Sequence, residues 1–165
     1  MKFPSERFRN NPDASTGLVF LRAYNKWYAL MKMGLRKIGV THPQFLVMTA
    51  LNFLSQTRDS VSQAEIARLA EMDVMSVSKI LRGLEAKGYL ARRPNPEDTR
   101  ANVIFLLDKG EEAVKLGLPI VEKIDDEFFG ILSDGADGEK TFRQSLHKLI
   151  DIRHRKSQEN FTDFK

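Results

Sequence analysis

Two helix starts, eleven residues apart, constrain this chain more than any other feature. The first is Ser62-Gln63-Ala64-Glu65, a capping box in which the serine side chain satisfies a free amide while the glutamate reaches back to the serine N–H. Val61 and Ile66 flank it in the positions of a hydrophobic staple. The second is Asp73, whose carboxylate caps a helix ending near Lys87, with Gly88 as its left-handed stop. Between the two starts a short helix runs through Leu69 and Ala70. The period then changes: Tyr89-Leu90-Ala91-Arg92-Arg93 reads as a strand and residues 101–107 as its partner. The intervening Pro94-Asn95-Pro96-Glu97-Asp98-Thr99 is too long for a tight hairpin turn and projects as a proline-stiffened loop.

The helix from Asp73 to Lys87 has two chemically distinct faces. Val77, Ile80, Leu81 and Leu84 follow helical spacing and point inward, while Met75, Ser76, Ser78, Lys79 and Arg82 lie on or near the opposite side, with Gly83 beside them. Small residues let a backbone approach a major groove, and hydroxyls and cations reach base edges and phosphates. By itself such a face is as readily a solvated helix surface. The hairpin adds Arg92 and Arg93 at one root and Arg100 beyond the tip, where arginine suits phosphates or a narrow minor groove. Asp98 stands where it orients Arg100. Helix face and hairpin in this order specify a winged helix-turn-helix.

The rest of the chain reads as helix. Residues 1–14 are a polar arm without periodicity. Phe20, Ala23, Trp27, Leu30, Met31, Gly34 and Ile38 place a long first helix over 15–38, ended by Gly39. Thr41 and Gln44 cap a second helix, and the stretch Thr41–Thr57 carries no Asp, Glu, Lys or Arg, so much of that helix is expected to be buried. Asp108 and Glu111 are expected to cap a helix running to about Leu132, kinked or interrupted at Pro119. A loop at 133–138 precedes a last helix bearing Phe142, Leu146, Leu149 and Ile150.

Charge and composition narrow the function. Residues 1–40 carry eight basic and two acidic side chains, residues 58–100 eight and seven, and residues 101–165 ten and thirteen, which describes a basic surface and not a general polycation. The absence of cysteine removes disulfides, thiolate metal sites and thiol redox sensing. No phosphate-binding glycine loop, zincin motif or nucleophile elbow is present, so no enzyme is expected, and no cofactor. No apolar run approaches the roughly 20 residues of a membrane span, and a cytoplasmic location is expected.

Gly88-Tyr89-Leu90 followed by Arg92-Arg93, then Pro96-Glu97-Asp98-Thr99-Arg100, then Val103 to Lys109-Gly110, resembles the wing signature of the MarR family, and Ser62–Leu69 and Val77–Leu84 match its two helix-turn-helix helices. The resemblance covers roughly residues 15–155; Asp108 stands where the family commonly has threonine. It implies a mainly α fold with a small β-hairpin wing. Residues 42–107 would form the winged helix-turn-helix DNA-binding lobe, and 15–41 with 108–165 a helical region through which two chains form a homodimer. The implied function is a transcriptional regulator, often a ligand-responsive repressor, reading an inverted-repeat operator on double-stranded DNA. A winged-helix module for protein–protein assembly is the alternative.

The DNA-binding set expected is Ser62, Gln63, Met75, Ser76, Ser78, Lys79, Arg82, Arg92, Arg93, Asp98 and Arg100. The resemblance also implies a small aromatic or phenolic effector, for which Tyr24, Trp27, Tyr28, Met31, Phe45, Met48 and Met72 are the candidates; aromatic residues at helical spacing are more often dimer core than ligand pocket. His147, Asp151 and His154 have the spacing of three metal ligands on one helix face, but a solvated charged face explains them as well, and no metal is assigned.

Overall fold

The computed structural model describes residues 11–94, 102–133 and 137–156. Residues 11–124 form one compact unit and residues 125–156 contribute to a second. The first unit holds α1 (Thr16–Arg36), α2 (His42–Ser55), α3 (Gln63–Leu69), α4 (Val74–Ala86), β1 (Leu90–Pro94), β2 (Asn102–Leu106) and most of α5 (Asp108–Phe129). The second holds the end of α5, a short 3-10 turn and α6 (Gly138–Lys156), where Phe129 lies 5.0 Å from Phe128 and 6.0 Å from Phe142, ring centre to ring centre.

The caps set the element boundaries. Thr41 and Ser62 each close a full capping box, with Gln44 and Glu65 as the returning partners, and Asp73 accepts from the Ser76 N–H at 2.8 Å. Three helices stop in the same way. At Gly39, Glu71 and Gly88 the backbone turns left-handed, with φ of 75°, 51° and 73°. At Gly88 the Schellman pair is complete, because Tyr89 N–H donates to the Leu84 carbonyl at 3.0 Å and Gly88 N–H to Glu85 at 2.9 Å. Tyr89 is thus spent on closing α4, and the strand begins one residue later than its composition suggests. Glu71 makes the corresponding turn between α3 and α4 without glycine's freedom, a conformation costly for a residue with a Cβ.

The core of the first unit is built on α2. Phe45, Val47, Met48, Ala50, Leu51 and Leu54 are all buried, packed with Val61, Ile66 and Ala67 around α3, Val77, Leu81 and Leu84 from α4, and Leu90 and Ile104 from the hairpin. The strands pair antiparallel with Leu90 opposite Leu106 and Arg92 opposite Ile104. Ile104 N–H also donates to the Val61 carbonyl at 3.0 Å, which ties the hairpin to the entry of α3.

Two expectations for α5 need correction. Pro119 does not interrupt the helix, which continues to Phe129. Nor does Asp108 cap it: the Leu107 carbonyl accepts from Gly110 and Glu111 N–H, so Leu107 holds the cap position. Asp108 and Glu111 instead sit in the first turn, where the helix dipole favours acids. Glycines let α5 lie close to its neighbours. A Cβ on Gly117 would collide with the Phe45 ring, and one on Gly34 of α1 would come within 2.8 Å of Ile120 and Ile124.

Gly83 offers a control, because a Cβ there meets nothing. Gly117→Ala is expected to lower the unfolding free energy by about 1–3 kcal/mol through overpacking. Gly83→Ala, inside an open helix surface, is expected to raise it by about 1 kcal/mol. Urea denaturation of the two variants beside the parent checks both, and equal shifts would show that Phe45 does not fix the seat of α5.

Candidate nucleic-acid interface

The short helix α3 is locked to α4 by side chains as well as by its core face. Ser62 N–H donates to Glu65 Oε2 at 2.9 Å, the Ser62 hydroxyl donates to the same oxygen at 2.8 Å, and Glu65 N–H returns to Ser62 Oγ at 3.4 Å. Gln63 Nε2 donates to the Val74 carbonyl at 3.1 Å. Of these two expected DNA contacts, Ser62 caps α3 itself and Gln63 ties α3 to the start of α4. Arg58 adds an ion pair to Glu65.

On α4, Val77, Leu81 and Leu84 are fully buried, and Met75, Lys79 and Arg82 lie diametrically opposite at i, i+4 and i+7, all exposed. Ser76, Ser78 and Gly83 flank this ridge and are half-buried. Lys79 and Arg82 form no ion pair among the described residues. Asp73, the nearest acid on the chain before them, accepts from Ser76 and is turned to the helix amides. The Ser76 hydroxyl and N–H hold its carboxyl below the usual aspartate range.

The two arginines of β1 part company. Arg92 donates from Nε to Glu85 Oε2 at 2.9 Å and pairs with the same carboxylate through its terminal nitrogen, bracing the end of α4 against the strand. Hydrogen bonding from Arg92 lowers the Glu85 pKa, and Glu85 in turn raises that of Arg92. Arg93, on the other face of the strand, is exposed and lies over the Phe105 ring at 5.4 Å. Glu85 was not singled out by the sequence; its only signal there is an acid near the end of a helix with an arginine just past the glycine stop. Lys109 supports the same corner, donating to the Lys87 carbonyl at 2.8 Å with its ammonium 4.4 Å from the Tyr89 ring centre. Asp98 and Arg100 lie outside the described residues.

The seven effector candidates divide among three places. Tyr24, Trp27 and Tyr28 cluster on α1, with Tyr24 and Tyr28 stacked at 5.7 Å and His42 edge-on to Trp27 and Tyr28 at 5.3 and 5.4 Å. Met31, Phe45 and Met48 are buried core side chains, because apolar residues at helical spacing find one another first. Met72 instead lines an open groove of about 450 Å³ between the start of α2 and α4, with Thr41, Pro43, Gln44, Lys79 and Ile80. His147 and Asp151 are exposed on α6, and the side chain of His154 lies outside the described residues. Among the described residues no three metal-binding side chains come together, and no helix is long and apolar enough to cross a membrane.

Residues 38–101 match the model of the MarR family. Over 141 residues the chain is 32% identical to the uncharacterized HTH-type transcriptional regulator YdcH of Bacillus subtilis, covering 86% of this chain and 93% of that one. The chain belongs to the MarR family. Its fold agrees with that of Staphylococcus aureus MepR in complex with DNA, at a TM-score of 0.73 and 20% identity over 85% of this chain and 97% of that one. It also agrees with Bordetella bronchiseptica BpsR, a protein whose DNA binding is regulated by 6-hydroxynicotinic acid, at a TM-score of 0.70 and 24% identity over 82% and 98%. This member of the MarR family is mainly α-helical with a two-stranded wing, as its sequence predicts.

The helix-turn-helix of this MarR family member carries a pH signature. The Ser62 N–H and hydroxyl, with Arg58, hold Glu65 below the usual glutamate range against a smaller opposing effect of burial. Below that range the unfolded chain binds more protons than the folded one, so stability rises with pH through the window. The contribution is complete above the ordinary glutamate pKa and is lost as pH falls through the lowered value. Glu65→Gln keeps an oxygen for Ser62 N–H but removes the titration. Its urea midpoint is expected to fall less steeply than the parent's on acidification from neutral pH; parallel curves would show that Glu65 is not coupled to folding.

Proposed function

We propose that two copies of this chain form a homodimer through residues 15–41 and 108–165, and that the 42–107 lobe of each reads one half of an inverted-repeat operator. As a MarR family protein the chain is a DNA-binding transcriptional regulator, and no enzymatic reaction is assigned to it. The observation that carries the reading is the ridge of α4, an exposed stripe with two cations that form no ion pair among the described residues, on a helix whose opposite face anchors the lobe. A helix so held presents its side chains to a major groove at little further entropic cost. Ser76 and Ser78 beside the ridge supply hydroxyls, and Arg93 supplies the wing's phosphate contact with Arg100 beyond it. Arg92 acts through its brace to Glu85.

Uncovered apolar side chains support the dimer. Val19, Phe20, Leu21, Leu30 and Met33 are exposed along α1, and Leu149 and Ile150 along α6, more apolar surface than a lone chain ordinarily leaves to water. Inverted repeats follow from a two-fold dimer, with half-site centres about 10 base pairs apart so that both α4 helices meet one face of the duplex. Repression, and release by a small aromatic or phenolic effector, complete the reading. The aromatic cluster of α1 and the groove beside Met72 are its two candidate seats, and binding at either can weaken DNA affinity only by its differential affinity for the two states.

Sedimentation is expected to give twice the 18.9 kDa chain mass. Selection from random duplexes is expected to return inverted repeats, and inserting five base pairs between half-sites to reduce binding to that of one half-site. Lys79→Ala with Arg82→Ala is expected to weaken operator binding and relax the preference at the base positions they read. Arg93→Gln is expected to flatten the slope of log affinity against log salt by about one unit, and Arg92→Gln to leave that slope unchanged. Salt-insensitive binding without sequence preference would favour a protein-assembly module instead. Salicylate is expected to raise the melting temperature of the free protein and lower its DNA affinity, and a chelator to do neither.

A further inference from the structure

Lys79 and Arg82 give the α4 ridge its charge, but the ridge begins with an apolar side chain. Met75 is 76% exposed, the most exposed large apolar residue among those described. It is not a core residue turned outward by a local irregularity. The helix around it is regular, its inner face is filled by Val77, Leu81 and Leu84, and Met75 stands diametrically opposite them. Nor does its side chain take part in the cap, which the Asp73 carboxylate makes with backbone N–H groups.

Its position on the helix gives it a use. Met75 lies in the first turn of α4, one turn before Lys79 and two before Arg82. The N-terminal residues of a recognition helix are the ones that meet base edges. Met75 has no charge for a phosphate and no donor for the guanine O6 and N7 acceptors that arginine and lysine select. The one apolar feature that base pairs present in the major groove is the 5-methyl group of thymine. A flexible thioether chain fits such a small, rounded target and tolerates slight differences in depth.

We infer that Met75 is a specificity-determining residue that reads a thymine methyl group in each operator half-site. The inference rests on the reading in which α4 enters the major groove, and adds the chemical identity of one base. It also separates the ridge by function. Met75 contributes base preference without salt dependence, while the cations beyond it contribute attraction to phosphates and to guanine.

The test uses the full-length protein and a duplex selected from a random pool, in which each thymine is replaced in turn by deoxyuridine. That exchange removes only the methyl group and preserves pairing and O4. At one thymine per half-site the parent is expected to lose affinity by about fourfold, the value of one buried methyl group. Met75→Ala, at an exposed position, is expected to bind the unmodified duplex more weakly with an unchanged salt slope and to ignore the exchange. Met75→Leu is expected to keep the sensitivity. If no thymine is sensitive, or Met75→Ala keeps the parent's penalty, the inference is overturned while sequence-dependent binding still upholds the groove reading. If unmodified duplexes show no sequence-dependent binding at all, both fall together.

Discussion

The fold depends on a helix that has no charge to offer water. From Thr41 to Thr57 the chain carries no Asp, Glu, Lys or Arg, and α2 answers by burying six of its residues. Burying a Leu, Val or Met side chain contributes about 1.5–3 kcal/mol, so this one helix supplies much of what offsets the entropy of ordering its neighbours. The short helix α3, the inner face of α4 and β2 pack on it, and β1 packs on α4. Seven-residue α3 would not persist alone in water. It exists because α2 and α4 cover Ile66 and Ala67, and because its cap leaves few amides unsatisfied. The rigidity of the α4 ridge is therefore a property of α2 as much as of α4.

Around that core the charges are sorted by partner. Glu65 takes Arg58, and Glu85 takes Arg92. These exposed or half-exposed pairs contribute little stability individually, but they consume charge that would otherwise compete on the same surface. Among the described residues, what stays unpaired on α4 is Lys79 and Arg82, in line with Met75 on the side away from the core. Two cations one turn apart on one exposed ridge, with no acid between them, give a directed field there. The brace between Glu85 and Arg92 adds mechanical definition, since it joins the recognition helix to the strand that carries the wing.

Much of this was legible in the sequence because it is written in local chemistry. Both capping boxes, the staple at Val61 and Ile66, the glycine stop after α4 and the change of period at the hairpin are set by neighbours within a few residues. Those boundaries agree with the structure to within one or two positions. The departures have the same character in reverse. Tyr89 looked like strand and serves as the last hydrogen-bonding residue of the α4 stop. Asp108 looked like a cap and lies inside the helix, because the Leu107 carbonyl already accepts the first amides. Pro119 looked like a break, and α5 runs through it. For Tyr89 and Asp108 a backbone hydrogen bond decided between two conformations that the side chain alone permits.

The sequence by itself determined the order of elements, the inward and outward faces of α4 and the family, because periodicity and caps act over distances the chain cannot rearrange. Tertiary structure alone decided which polar residues remain available. Gln63 holds α3 to α4, Arg92 is paired with Glu85, and Met31, Phe45 and Met48 are packed in the core, while Lys79, Arg82, Arg93 and Met75 stay exposed. A side chain's type fixes what it is able to bind. Whether a partner within the same chain has already claimed it depends on distances that exist only after the helices have packed.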